Sequence, residues 1–225
     1  MIPFFLHHPL IDAIHVFNSY DGWPDKIDTE YLNKTNYTHI FNCMPNHTSH
    51  DWWKKYHQGQ ETILMHGIND SGDYKCNLNK YFTTIKKSNF IAFAPFAGFY
   101  NKNNNKKLSI DAAQNIVDAI KKSGYNVAQI GGTTEPKLNG AMFVDFTYFK
   151  SLQFILGCKC LISTDTGMRW AASAYDFPTI GLDSNEFYGN RISAIQPINK
   201  NAIYLDELHV DKISLDKILD SVKLI

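Results

Sequence analysis

The chain has 225 residues, 44% of them hydrophobic and 20% charged, the composition of a globular protein long enough for one large domain or two small ones. Lys+Arg and Asp+Glu both number 22, so no net field draws it to nucleic acid or anionic lipid, and any basic patch is local. The four cysteines (Cys43, Cys76, Cys158 and Cys160) are irregularly spaced in a chain too large to need staples, so they read as reduced thiols of a cytoplasmic protein.

The N-terminal run MIPFFLHHPLID has no basic start and no small-residue cleavage site, so it does not read as a signal peptide. No apolar run approaches the roughly 20 residues that span a bilayer. The sequons at Asn33, Asn36 and Asn46 then carry no meaning for a chain without a visible route to secretion. Strands are expected at Ala13–Asn18, Thr38–Met44 and Thr62–His66, each a short β-branched or aromatic run closed by turn residues. Between the last two, Trp52, Trp53 and Tyr56 point to a helix packed on their sheet. INDSGDYKCN, around residues 69–79, reads as a linker, followed by a short helix over Leu78–Lys87.

From there the alternation of strand and helix is clear. Ile91–Pro95 reads as a buried strand. Ser109 is placed to cap a helix over Ile110–Ser123, with Ala112, Ile116, Ala119 and Ile120 as its apolar stripe and Gly124 as its stop. Asn126–Ile130 is the next strand. A helix near Tyr148–Gly157, the strand Cys160–Ser163, a helix about Met168–Tyr175, the strand Thr179–Leu182 and a last helix near Ser214–Lys223 follow. Cys158 and Cys160 lead into a strand and read as buried small residues, not metal ligands. Repeated βα units predict a doubly wound parallel sheet that binds its ligand beyond the carboxyl ends of the strands.

Three loops fall at those ends. Pro95-Phe96-Ala97-Gly98 with Lys106 and Lys107 offers close backbone approach and point charges for a phosphate, or else a plain turn and a solvated basic face. Gly131 and Gly132 open a second loop, in which Glu135 either accepts bonds from ribose hydroxyls or caps the next segment. The third, Asp165-Thr166-Gly167, joins a strand directly to a helix, so free N–H groups and the Thr166 hydroxyl are available to an anion. Asp165 is there either a ligand contact or only the helix cap. Trp170 projects from a turn whose neighbours are alanines, toward a cavity or toward the core.

IAFAPFAG, the two lysines, IGGTTE and above all STDTGMRWAASAYDFPTIGL resemble the heptosyltransferase-like glycosyltransferases of family 9. The resemblance covers Phe90–Leu182 and extends weakly upstream through HHPLIDAI and THIFNCMP. It implies an α/β, GT-B-like fold of two Rossmann-like parallel-sheet domains, the N-terminal one abbreviated: a shortened acceptor-side domain over 1–77 and a donor-binding domain over 78–225. It also implies transfer of a sugar from a nucleoside diphosphate to a hydroxyl of a saccharide or similar acceptor, with inversion and without a metal or other cofactor. Lys106 or Lys107 would then contact the diphosphate, Glu135 the ribose, the stretch from Phe146 to Tyr148 the base, and Asp165, Thr166 and Gly167 the phosphates and sugar. No D-x-D stands in a metal-binding context.

Two departures matter. The usual histidine of the motif is Trp170 here, as in the autotransporter-heptosyltransferase branch, whose NEF triplet is similar to Asn185-Glu186-Phe187; that branch's Cys-rich metal-binding segment is not evident. Family members open with a strand and a Gly-rich loop carrying an Asp general base, whereas MIPFFLHHPLID matches a later segment. The base is therefore sought after the Ile40–Met44 strand, where His47, His50 and Asp51 lie together, although each also reads as a solvated loop residue. Two rival readings stay open. One is a nucleotide-sugar-binding protein or oligomer subunit without turnover. The other is a viral glycosyltransferase acting on hydroxymethylated DNA bases, which the Asn/Lys-rich usage suggests and the neutral net charge disfavours, with a local stripe including Lys54, Lys55, Lys86 and Lys87 left open.

Overall fold

A computed structural model of the chain describes residues 85, 87–96, 106–188, 192–193 and 196–225, without the side chains of residues 187 and 188. The strands predicted between Ala13 and His66, the linker and the 77/78 boundary lie outside these residues. So does most of the helix predicted over Leu78–Lys87, of which Ile85 and Lys87 are described and are not helical.

The described residues build one six-stranded sheet: β1 (Phe90–Ala94), β2 (Asn126–Ile130), β3 (Met142–Val144), β4 (Cys160–Ser163), β5 (Thr179–Ser184) and β6 (Ala202–Glu207). All neighbours pair parallel, in the spatial order β3-β2-β1-β4-β5-β6. The helices are α1 (Ile110–Lys122), α2 (Tyr148–Gly157), α3 (Gly167–Ser173), the short α4 (Asn185–Tyr188) and α5 (Leu215–Leu224), with a 3₁₀ turn at Val210–Lys212 before the last of them. This is the Rossmann order, and the fold is α/β as expected. Among the described residues no helix is long and apolar enough to cross a membrane.

Strand side chains sort by alternation into two cores, one on each face. Ile91, Phe93, Val127, Ile162, Ile180 and Leu182 meet α1 and α5. Ala92, Ala94, Ala128, Ile130 and Leu161 meet α2 and α3. The second set is small, and so is the face α3 brings to it through Ala171 and Ala172. That pairing lets α3 lie close to the strands. Cys158 and Cys160 are free and buried, their thiols pushed up by burial to about 11 and about 12, so neither is a ready nucleophile.

Ser109 caps α1 as predicted, its hydroxyl accepting the Ala112 N–H at 3.2 Å, and Gly124 ends the helix at φ +88°. The buried stripe differs from the predicted one. It runs through Ala113, Ile116, Val117 and Ile120, with Ala112 and Ala119 only half-buried at its edges. Both sets have helical spacing, and the sheet selects the one carrying the larger side chains. The strands β3 and β6 are additions to the predicted set. Both are edge strands, β3 only three residues long and β6 incompletely buried along its length.

Candidate functional site

The chain leaves β1 toward β2 on one side and, through α2, enters β4 on the other, so the carboxyl ends of β1 and β4 flank the topological switch point. A cleft of about 610 Å³ opens there. Its walls come from all three predicted loops: Phe96 and Lys106; Gly131, Gly132 and Glu135; and Asp165, Thr166, Gly167 and Met168. Phe146, Tyr148 and Ser151, at the start of α2, complete it.

Asp165 is the most connected of these side chains. Lys106 Nζ lies 3.2 Å from its Oδ2, while its Oδ1 accepts from Arg169 Nη2 at 3.3 Å and from Trp170 Nε1 at 3.4 Å. The residue that caps α3 is the next one: Thr166 Oγ1 accepts the Arg169 N–H at 3.3 Å and shares a 2.8 Å hydrogen bond with Ser163 Oγ. Asp165 is thus relieved of capping. Gly167 is held from across the cleft mouth, its carbonyl accepting the Tyr148 hydroxyl at 2.7 Å.

Behind Asp165 sits a residue that the sequence did not mark out. Arg169 is fully buried, 2.6 Å from the buried Asp183 through Nη1, with its guanidinium 5.7 Å from the centre of the Tyr204 ring. Gln196 Nε2 donates to the other Asp183 oxygen at 3.0 Å. An arginine one position before an indole in an otherwise small, apolar helix was the available signal, because a charge on such a face must find a buried partner.

Glu135 is partly buried, and its Oε2 is enclosed without a hydrogen-bond partner among the described residues. Desolvation raises its carboxyl above the ordinary glutamate value of 4.5, and hydrogen bonding from the Gly132 backbone acts in the opposite sense. Gly131 is required by this arrangement, since a Cβ there would collide with Glu135 Oε2. Phe146 is exposed and meets Phe154 edge-on at 6.3 Å.

Several sequence candidates lie elsewhere. Pro95 is buried beneath the cleft and does not line it; its carbonyl accepts from Leu108 N at 3.1 Å and from Thr164 Oγ1 at 3.4 Å. Lys107 is exposed outside the cleft. Trp170 is half-buried, does not line the cleft, and braces Asp165 instead. Phe96 and Met168 line it and were not singled out from sequence. Gly98, His47, His50 and Asp51 lie outside the described residues, as do Lys54, Lys55 and Lys86 of the basic stripe. Lys87 is described, and its Nζ donates to the Leu156 carbonyl at 3.4 Å.

A parallel sheet in Rossmann order with a cleft at its switch point defines a doubly wound α/β fold, a class that takes its ligands beyond the carboxyl ends of the strands. Solved structures narrow that class. Escherichia coli heptosyltransferase WaaC with ADP matches with a TM-score of 0.55 at 11% identity, over 84% of this chain and 59% of that one. The same enzyme with ADP-2-deoxy-2-fluoro heptose gives 0.53 at 12% identity. A glycosyltransferase of family 9 from Veillonella parvula gives 0.50 at 16% identity, over 77% of this chain and 51% of that one. No protein-family model and no curated protein sequence matches the chain. The fold is therefore that of the GT-B heptosyltransferases, and the chain spans between 51% and 59% of the length of these structures.

Proposed function

We propose that the cleft binds a nucleoside-diphosphate sugar and that the chain is a glycosyltransferase moving that sugar to a hydroxyl acceptor, with inversion and without a metal. The observation that carries this reading is the meeting, in one switch-point cleft, of the Lys106 ammonium with the carboxyl-bearing side chain of Glu135. A diphosphate needs the first and a ribose diol suits the second, since a carboxylate accepts from both hydroxyls. The exposed ring of Phe146 and the ring of Tyr148 offer flat apolar surface to a base. Asp165, Thr166 and Gly167 face the sugar and phosphates, and Lys106 supplies the positive charge that a metal supplies elsewhere. The catalytic base comes from His47, His50 or Asp51. Because the related structures hold ADP and an ADP-sugar analogue, adenine nucleotides are the first donors to test.

The test is calorimetric titration with a panel of nucleotide sugars beside a donor-hydrolysis and transfer assay. Binding that falls tenfold or more in Lys106→Ala and Glu135→Gln, together with turnover, supports the reading. Binding without turnover reduces it to a donor-binding protein. No nucleotide sugar bound at millimolar concentration removes it.

A further inference from the structure

We propose that Arg169 is a positioning residue for the cleft: bridging buried Asp183 and cleft-lining Asp165, it sets the Asp165 carboxylate and, through it, the ammonium of Lys106 that receives the phosphates of a bound diphosphate. The inference deepens the donor-binding reading and rests on it.

Three features of the geometry carry it. Arg169 is fully buried and uses separate nitrogens for the two carboxylates, Nη1 to Asp183 at 2.6 Å and Nη2 to Asp165 at 3.3 Å. Its Nε, also buried, has no partner among the described residues, so the guanidinium is oriented by the two acids at the expense of its own hydrogen bonding. A buried pair such as Arg169–Asp183 adds little stability over an apolar replacement, and what it supplies is direction.

That direction is passed on at Asp165. Two donors from behind, Arg169 and Trp170, converge on Oδ1, which fixes the rotation of the carboxylate and leaves Oδ2 to Lys106. Lys106 is a flexible side chain about one-quarter exposed, and the anchored Asp165 carboxylate draws its ammonium to this side of the cleft. The guanidinium also offsets the Asp165 charge, which would otherwise oppose an incoming anion. Space for the bridge comes from Gly181 on β5: a Cβ there would collide with the Tyr204 ring and stand 3.1 Å from Arg169 Nη1.

Arg169→Lys keeps a positive charge beside Asp183, but a single ammonium does not span two carboxylates as a planar fork does. The experiment measures binding of inorganic pyrophosphate and of ADP to the parental chain, Arg169→Lys, Lys106→Ala and the double variant, with thermal melting as the check on folding. The expected result is an affinity loss of about tenfold or more in Arg169→Lys that is absent in the Lys106→Ala background. A merely structural role for Arg169 gives additive losses, which overturns the inference, as does parental affinity in folded Arg169→Lys or a parental chain that does not bind pyrophosphate. Coupling seen with pyrophosphate while neither ADP nor any nucleotide sugar binds more tightly leaves the positioning role standing and removes the donor reading alone. Should Arg169→Lys fail to fold, the isosteric Asp165→Asn replaces it and leaves the Arg169–Asp183 pair in place. Positioning predicts a loss of pyrophosphate affinity although a negative charge has been removed, and a gain overturns it.

Discussion

At the scale of single residues, the cleft places two carboxylates in opposite circumstances. Asp165 is held by cations and an indole, whereas Glu135 is desolvated, with one oxygen that has no partner among the described residues. Because the folded-state value of Glu135 lies above its unfolded one, the folded chain binds that proton more tightly. Stability therefore falls as pH rises through the unfolded value toward the folded one, and the full cost is present above both. Glu135→Gln removes the charge, so it is expected to melt higher than the parent near neutral pH. The difference should shrink as pH is lowered through the carboxylate range, in a pH series of melting curves; a constant difference removes the desolvation account. For the chemistry, a positioned base contributes about 10²–10⁴-fold to rate. One of His47→Ala, His50→Ala and Asp51→Ala is accordingly expected to lower turnover by about 10² or more with donor affinity unchanged. Three variants at parental rate in a transfer assay remove that loop from the mechanism.

At the scale of elements, α1 and β5 give the sharpest expectations. The start of α1 depends on Ser109, whose side chain satisfies an N–H that the helix itself leaves unpaired. Ser109→Ala should cost about 0.5–2 kcal/mol in chemical denaturation without touching the cleft, so nucleotide affinity should hold. On β5, Gly181 faces the Tyr204 ring and Arg169, in a network that includes Asp183 two residues on. An added methyl forces the ring or the guanidinium to move, and overpacking of this kind costs about 1–3 kcal/mol. Gly181→Ala is expected to lower both stability and nucleotide affinity, because it disturbs the side chain that orients Asp165. Lost stability with parental affinity would separate β5 from the cleft.

At the scale of the whole molecule, parallel strands buried on both faces by α1 and α5 on one side and α2 and α3 on the other give a rigid platform with its open edge at the switch point. A ligand bound there touches loops after β1, β2 and β4 at once, so its binding energy is linked to the folding of the sheet. At a nucleotide concentration 100-fold above Kd, stability should rise by about 2.7 kcal/mol, read as an upward shift of the melting transition. A saturating nucleotide that leaves the transition in place would mean that it does not bind the folded cleft.

Local chemistry alone determined much of this protein. The Ser109 cap, the Gly124 stop, the strand runs at Asn126–Ile130 and Cys160–Ser163 and the D-T-G junction are readable because each depends on neighbours within a few residues of the chain. The three cleft loops were readable for the same reason, since a parallel doubly wound sheet sends all its strand ends to one edge. The edge strands β3 and β6 were not, because a strand paired on one flank only, short or partly buried, depends on the neighbour it adds to and not on its own residues. Nor was the choice between two helically spaced stripes on α1, which depends on what the sheet presents. Least readable was the pairing of Arg169 with Asp183, residues on a helix and on a strand whose approach requires the intervening Gly181 and Tyr204 to be in place. Trp170 illustrates the division: its position one turn into the helix was visible in the sequence, but only the packed structure turned its indole onto Asp165 and away from the cleft wall.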